Sequence, residues 1–317
     1  MSVTGAGAGT ALDHVVAPVP ARRLRDAAGR FFTRTDGVVG ITILLVFAIL
    51  ALAPDLFVGE LQTVVTAPGD SLQPPSAEFL LGTDHVGRDM LNLTVHGARI
   101  SMLIGLMATL ITVVLGTTVG VVSGFAGGKV DTALMRVSDF FLVLPTTVLA
   151  IILAPVLLDI IGVEAELFGV RATLIVIVVV IGITSWATTA RVLRSQVLSL
   201  KERTFVDRAR VVGAGSGHIM RHHILPNVVN LIVAQAVLTF ALAVFTETTL
   251  AFIGLGDPSA PSWGQVLNSA QSSGAPGLGA WWYIVPPAAC VVLVVLAFTL
   301  VGNALDDILN PKARGHR

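Results

Sequence analysis

Six apolar runs, each near the length that crosses a bilayer, constrain this chain more than any other feature. A hydrocarbon core of about 30 Å takes about 20 residues of α-helix. The runs are Val38–Phe57, Ile100–Ser123, Val137–Leu158, Ala172–Ala190, Val228–Thr246 and Tyr283–Leu305. A shorter run, Thr248–Leu255, leads into Gly254-Leu255-Gly256-Asp257-Pro258 and is too short and Gly-rich to span, so a re-entrant or surface segment is expected there. The expected fold class is an all-α membrane protein with six transmembrane helices. Composition agrees: 54% of residues are hydrophobic and 13% charged, against roughly a quarter charged in a soluble domain. The net charge of zero gives no sign of nucleic-acid binding, and Cys290, the single cysteine, excludes an internal disulfide.

Basic residues orient the runs. Of the 20 Lys and Arg, only Arg88, Arg99 and Arg171 fall between runs on the side opposite the N-terminus. The positive-inside bias therefore predicts that both termini are cytoplasmic. Residues 1–36 read as a partly disordered tail ending in a basic stretch from Arg22 to Arg34, not as a cleavable signal. A short tail is expected at 312–317.

From the second run into the residues just after it, Gly116, Gly120, Gly124 and Gly128 recur every four residues. That spacing puts them on one helix face, where a second backbone approaches closely. The centres of the runs carry no charge. Asp139 and Glu247 lie near run ends, where each reaches the interface or a neighbouring helix. A self-sufficient secondary transporter or channel needs polar groups at mid-membrane, so these spans argue against that class. A membrane scaffold would explain the glycine face but not the spaced basic motif between the fourth and fifth runs. No phosphate loop, H-E-x-x-H or G-x-S-x-G occurs, so no enzyme activity is expected. His218 and His222 are four apart, yet no carboxylate or thiol near them completes a metal site.

The segment between the fourth and fifth runs, 191–227, is long, basic and patterned. Thr204 followed by Asp207 is a helix-start pattern. Phe205, Ala209 and Val212 follow at helical spacing. Gly213-Ala214-Gly215-Ser216-Gly217 breaks the helix. Ser216 is placed to cap a second helix through Ile219, which Leu225-Pro226 is expected to end. A bent element with one apolar and one basic face lies on anionic lipid or docks into a partner's groove. Composition alone does not choose, although the glycine turn favours docking.

This loop resembles the motif E-A-A-x3-G-x9-I-x-L-P of permeases in ATP-binding-cassette importers. Asp207-Arg208-Ala209 stands for E-A-A, Gly213 keeps the spacing, His223 stands at the Ile position, and Leu225-Pro226 closes it. Asp for Glu, Arg for Ala and His for Ile are the departures. Leu81-Gly82-Thr83-Asp84-His85-Val86-Gly87-Arg88-Asp89 followed by Gly97-Ala98-Arg99-Ile100-Ser101 is similar to a stretch of dipeptide and oligopeptide permeases. So are Phe125–Asp131, Phe252–Gly256, Pro261-Ser262-Trp263-Gly264, Trp281-Trp282 and Asn303–Pro311. The resemblance spans about Val38 to Pro311 and is to the C-type permease subunit of peptide or nickel importers. It implies the type I permease fold in a bacterial plasma membrane. Residues 37–99 would be a first span and outer loop, and 100–311 a permease core containing the coupling loop. It also implies a sister permease, two ATPase subunits that hold ATP and Mg, and an extracytoplasmic substrate-binding protein, with no cofactor on this chain. The coupling residues would be Thr204, Phe205, Asp207, Arg208, Ala209, Gly213, Ile219, Leu225 and Pro226. Asp84, Arg88, Asp89 and Trp263 are outer-loop candidates. Trp263 and the Trp281-Trp282 pair either meet the binding protein or anchor the membrane interface, and anchoring is preferred.

Overall fold

The computed structural model describes residues 31–162, 165–167 and 169–309, so most of the expected tails at 1–36 and 312–317 lie outside the described residues. The helices are α1 (Thr35–Leu52), α2 (Asp55–Val58), α3 (Met90–Ala126), α4 (Gly128–Val143), α5 (Thr146–Ile161), α6 (Ala172–Lys201), α7 (Thr204–Val211), α8 (Ser216–Ile219), α9 (Leu225–Leu250), α10 (Trp263–Ser272) and α11 (Val285–Leu309). Two short strands, β1 (Glu166–Leu167) and β2 (Val170–Arg171), pair antiparallel before α6. Among the described residues five helices are long and apolar enough to cross a membrane, or six if α4 and α5 count as one broken span.

The expected single run Val137–Leu158 is therefore corrected. It divides at Leu144–Pro145 into α4 and α5, which bend by 93°. Leu144 takes an extended conformation, φ −84° and ψ 131°, the geometry that the proline ring favours for the residue before it. Thr248–Leu255 is also no separate segment. α9 runs into it through a π-helical turn, Ala251–Leu255, and stops at Gly254 with φ +93°.

The core is the pairing of α3 with α6. Their backbones meet because α3 offers glycines. A Cβ at Gly116 would lie 2.7 Å from the Thr189 Cβ, one at Gly120 2.6 Å from the Ala190 carbonyl, and one at Gly124 2.9 Å from the Val197 Cβ. Gly182 of α6 makes the reciprocal approach to Ile111. Gly128 does not belong to this ridge. It opens α4 at φ +56° with nothing within 4 Å of a built Cβ, because α3 ends at Gly127. One side of the pair is closed by α5 and α9, with Ala150, Ala154, Leu158 and Ala243 against Ile104 and Val180. On another side α1 and α11 pack beside α9, joining Phe47, Val291 and Val294 to Phe240 and Val244.

Candidate functional site

The patterned segment 191–227 sits at the end of the bundle where α3 finishes. Its first part is not loop: α6 continues unbroken to Lys201. α7 then begins with Arg203 at its N-cap position and no side-chain cap. Thr204 is thus the first helical residue, and Asp207 turns to Arg210, 3.1 Å away, instead of capping. Local pattern marked the start of this helix correctly but misassigned its cap.

Gly213 ends α7. Its φ is +90°, and no atom would obstruct a Cβ there, so conformation alone requires glycine. The Gly213 N–H donates to the Arg210 carbonyl at 2.9 Å and the Ala214 N–H to the Ala209 carbonyl at 3.0 Å. Those two bonds are the Schellman pattern, which satisfies the helix's last carbonyls and turns the chain. α8 follows with Gly215, not Ser216, at its N-cap.

The expected stop at Leu225-Pro226 is absent. α8 passes through a π-helical turn, Met220–Ile224, straight into α9, with Pro226 in the first turn of that helix. Pro226 lacks the N–H that would bond back into the preceding turn, and the π-helical turn lies where that bond would fall. The Asn227 amide donates to the His223 carbonyl at 2.6 Å. The half of the element after Gly213 is therefore a prolongation of the membrane helix α9.

Burial sorts the two faces of the element. Val206, Ile219, Ile224 and Val228 are buried against Val121 and Phe125 of α3 and Leu193 and Val197 of α6. Phe205, Ala209, Ala214 and Leu225 pack around them. Fully burying each such aliphatic side chain is worth roughly 1.5–3 kcal/mol, so the element is rooted on α3 and α6. Val206 was not singled out from sequence, whereas Val212, which was, points outward. Val211 and Val212 are 88% and 87% exposed. On the same element Arg203, Thr204, Asp207, Arg208, Arg210 and Arg221 are exposed too. The result is an apolar knob beside the glycine turn, on an element whose exposed charges are mainly cationic.

Charged pairs brace this end. The guanidinium of Arg194 donates twice to Asp131, at 2.6 Å each, joining α6 to α4. Arg191 pairs with Asp139 one turn away. Lys201 and Arg210 each lie 6.0 Å from the centre of the Phe125 ring. His218 and His222 stack at 4.2 Å, and the His222 Nδ1 donates to the His218 carbonyl at 3.1 Å.

The opposite end holds the other candidates, and they are knotted into the fold. Asp84 is fully buried. It accepts from the backbone N–H of Val86 and Arg88 at 2.9 and 2.8 Å and from the Arg88 Nε at 2.8 Å. Asp89 caps α3 by accepting from the Leu91 N–H at 2.8 Å. Its burial pushes the carboxyl above the usual range, and the Leu91 bond pulls partly against that. The Trp282 indole donates to the Thr83 carbonyl at 3.1 Å, clamping this segment to the start of α11.

Trp263 corrects the preference for a membrane anchor and equally the alternative of docking. Its side chain is wholly buried. The indole N–H donates to the Thr94 carbonyl at 2.9 Å, and the ring lies against Gly97. Only Trp281 of the tryptophans considered is exposed. The Trp263 backbone N–H donates to the Ser101 Oγ at 3.1 Å, and Ser101 donates to the Glu247 carboxylate at 3.1 Å. Ser101 was noted only as part of a resembling stretch. Glu247 does reach a neighbouring helix, and the pair ties α10 to α3 and α9.

Comparison with known proteins bears on these arrangements. Residues 116–315 match the family described as binding-protein-dependent transport system inner membrane component. The chain is 33% identical to the dipeptide transport system permease protein DppC of Alkalihalophilus pseudofirmus, covering 87% of this chain and 86% of that protein. It is 32% identical to the oligopeptide transport system permease protein OppC of Bacillus subtilis, over 92% and 90% of the two. It is 33% identical to the di/tripeptide transport system permease protein DppC of Pseudomonas aeruginosa, over 89% and 90%.

Proposed function

The chain belongs to the binding-protein-dependent transport system inner membrane component family and is a multi-pass permease subunit; on that premise we propose that it imports dipeptides or oligopeptides, driven by partner ATPases that act on the Thr204–Pro226 element. The peptide cargo is supported by the relatives, which are themselves dipeptide, di/tripeptide and oligopeptide permease proteins. The ATPase contact is carried by one observation: an exposed apolar knob, Val211-Val212, is held by a rigid glycine turn on a body rooted in α3 and α6. A lipid-lying helix needs neither the fixed bend nor the rooting.

In this reading the chain sits in a bacterial plasma membrane with both termini cytoplasmic, as the distribution of Lys and Arg favours. A sister permease lies alongside, a substrate-binding protein delivers cargo from outside, and two ATPase subunits hold ATP and Mg. Closure of the ATPases displaces α7 and α8, and the buried contacts pass the displacement to α3, α6 and α9. The two bundle states then exchange by differential binding.

Reconstitution tests this. Peptide uptake into proteoliposomes should require ATP, the binding protein, both permeases and the ATPases together. Uptake by this chain alone would overturn the proposal.

A further inference from the structure

A groove of about 450 Å³ runs between α1, α3, α9 and α11. Leu52, Leu103, Leu106, Phe240 and Phe298 are among its walls, and Phe240 and Phe298 stack at 4.0 Å. One polar side chain lines it, Arg99. That guanidinium is exposed, and among the described residues no acidic group pairs with it. Leu52 is the last residue of α1, so Arg99, which lines the same groove, stands level with the end of a candidate span. Gly105, which receives Phe240, is six residues further along α3, about 9 Å deeper.

We propose that this groove binds an anionic phospholipid, with its phosphate on Arg99 and one acyl chain along the apolar walls toward the Phe240–Phe298 stack. An unpaired guanidinium at the membrane surface calls for an anion, and phosphate matches its fork of donors. The walls select the rest of the ligand. A peptide brings amide groups, each of which needs a hydrogen-bond partner once out of water, and the groove offers none beyond Arg99. A hydrocarbon chain needs none. The site lies apart from the ATPase-contacting element, so it does not depend on that assignment.

Native mass spectrometry of the full chain, alone and with its partners, tests the proposal with dioleoyl-phosphatidylglycerol and dioleoyl-phosphatidylcholine as probes. One basic residue near the surface favours an anionic lipid by about fivefold. Phosphatidylglycerol should therefore bind the wild type about fivefold more tightly. Arg99→Gln should reduce it to the phosphatidylcholine level, and Arg99→Lys should retain most of the preference. Leu103→Trp, at an exposed wall position, should weaken binding of both lipids without lowering the melting temperature. Equal binding of the two lipids, or an unchanged preference in Arg99→Gln, overturns the proposal. So does loss of the lipid on assembly accompanied by cross-linking of Leu103→Cys to the sister permease, which would make the occupant a protein helix. Release of a peptide from the groove on denaturation would also overturn it.

Discussion

Gly116, Gly120 and Gly124 show how much a single hydrogen atom in place of a methyl decides. Each lets α3 lie against α6 at a separation that any Cβ would forbid. Gly120→Val should force the helices apart at a cost of about 1–3 kcal/mol, seen as a lower melting temperature of the detergent-solubilised chain. Gly277→Ala, where a Cβ would meet nothing within 4 Å, should change stability by less than about 0.5 kcal/mol. Asp89 makes a second test, through pH. Burial raises its carboxyl above the ordinary value, so the unfolded state ionises first as pH rises. Stability from this group is full below the unfolded value, about 4, and falls as pH climbs to the raised folded value. Asp89→Asn keeps the cap and should remove that slope. Asp89→Ala loses the cap as well and should lie about 1 kcal/mol below Asp89→Asn at every pH. Thermal melts across that range separate the three chains.

Among the elements, α7 with its glycine turn is the one to which the proposed function assigns the ATPase contact. Gly213→Val asks a β-branched residue to hold φ +90°, a left-handed conformation that costs roughly 1–2 kcal/mol. The chain should still fold, since α7 is rooted by Val206 and its neighbours, but the turn should relax. The expected outcome in a reconstituted complex is ATP hydrolysis that no longer follows uptake. Wild-type coupling in Gly213→Val would sink the role given to this turn. Val211→Asp with Val212→Asp probes the knob itself. Both side chains are almost fully exposed, so the melting temperature should hold while the ATPase fails to co-purify. α4 and α5 carry the opposite lesson. Their apolar content reads as one span, yet Pro145 turns it by 93°.

Across the whole bundle, the charged pair Asp131–Arg194 ties the bent α4 to α6 next to the rooted element. Removing either side chain should loosen the same joint. The double substitution Asp131→Ala with Arg194→Ala should then fall short of the summed single effects on uptake, with a coupling of about 0.5–3 kcal/mol. Simple additivity would mean that the pair is a surface ornament. At the far end the Asp84 knot, the Trp282 clamp and the Ser101–Glu247 link hold the segment 59–89 and α10 to the spans. The two ends are therefore built differently, one a surface presented outward and the other a set of buried polar joints.

Hydropathy and spacing alone specify a helical membrane chain, its approximate spans, the glycine face of α3 and a basic element bent at Gly213. Those features are local: each depends on a window of about 20 residues or fewer and on one backbone conformation. Partners distant in the chain decided the rest. An eight-residue helix such as α7 has several apolar faces by spacing. Only Val121, Phe125, Leu193 and Val197 determine that Val206 goes inward while Val212 stays out. A tryptophan after an outer turn reads as an anchor until Gly97 and the Thr94 carbonyl make a buried seat for it. Hydropathy sums transfer energies without regard to chain direction, so it could not register the break at Pro145. That break is local to Leu144-Pro145; for Val206 and Trp263 burial is a property of which elements meet, settled only when α3, α6, α9 and α10 pack.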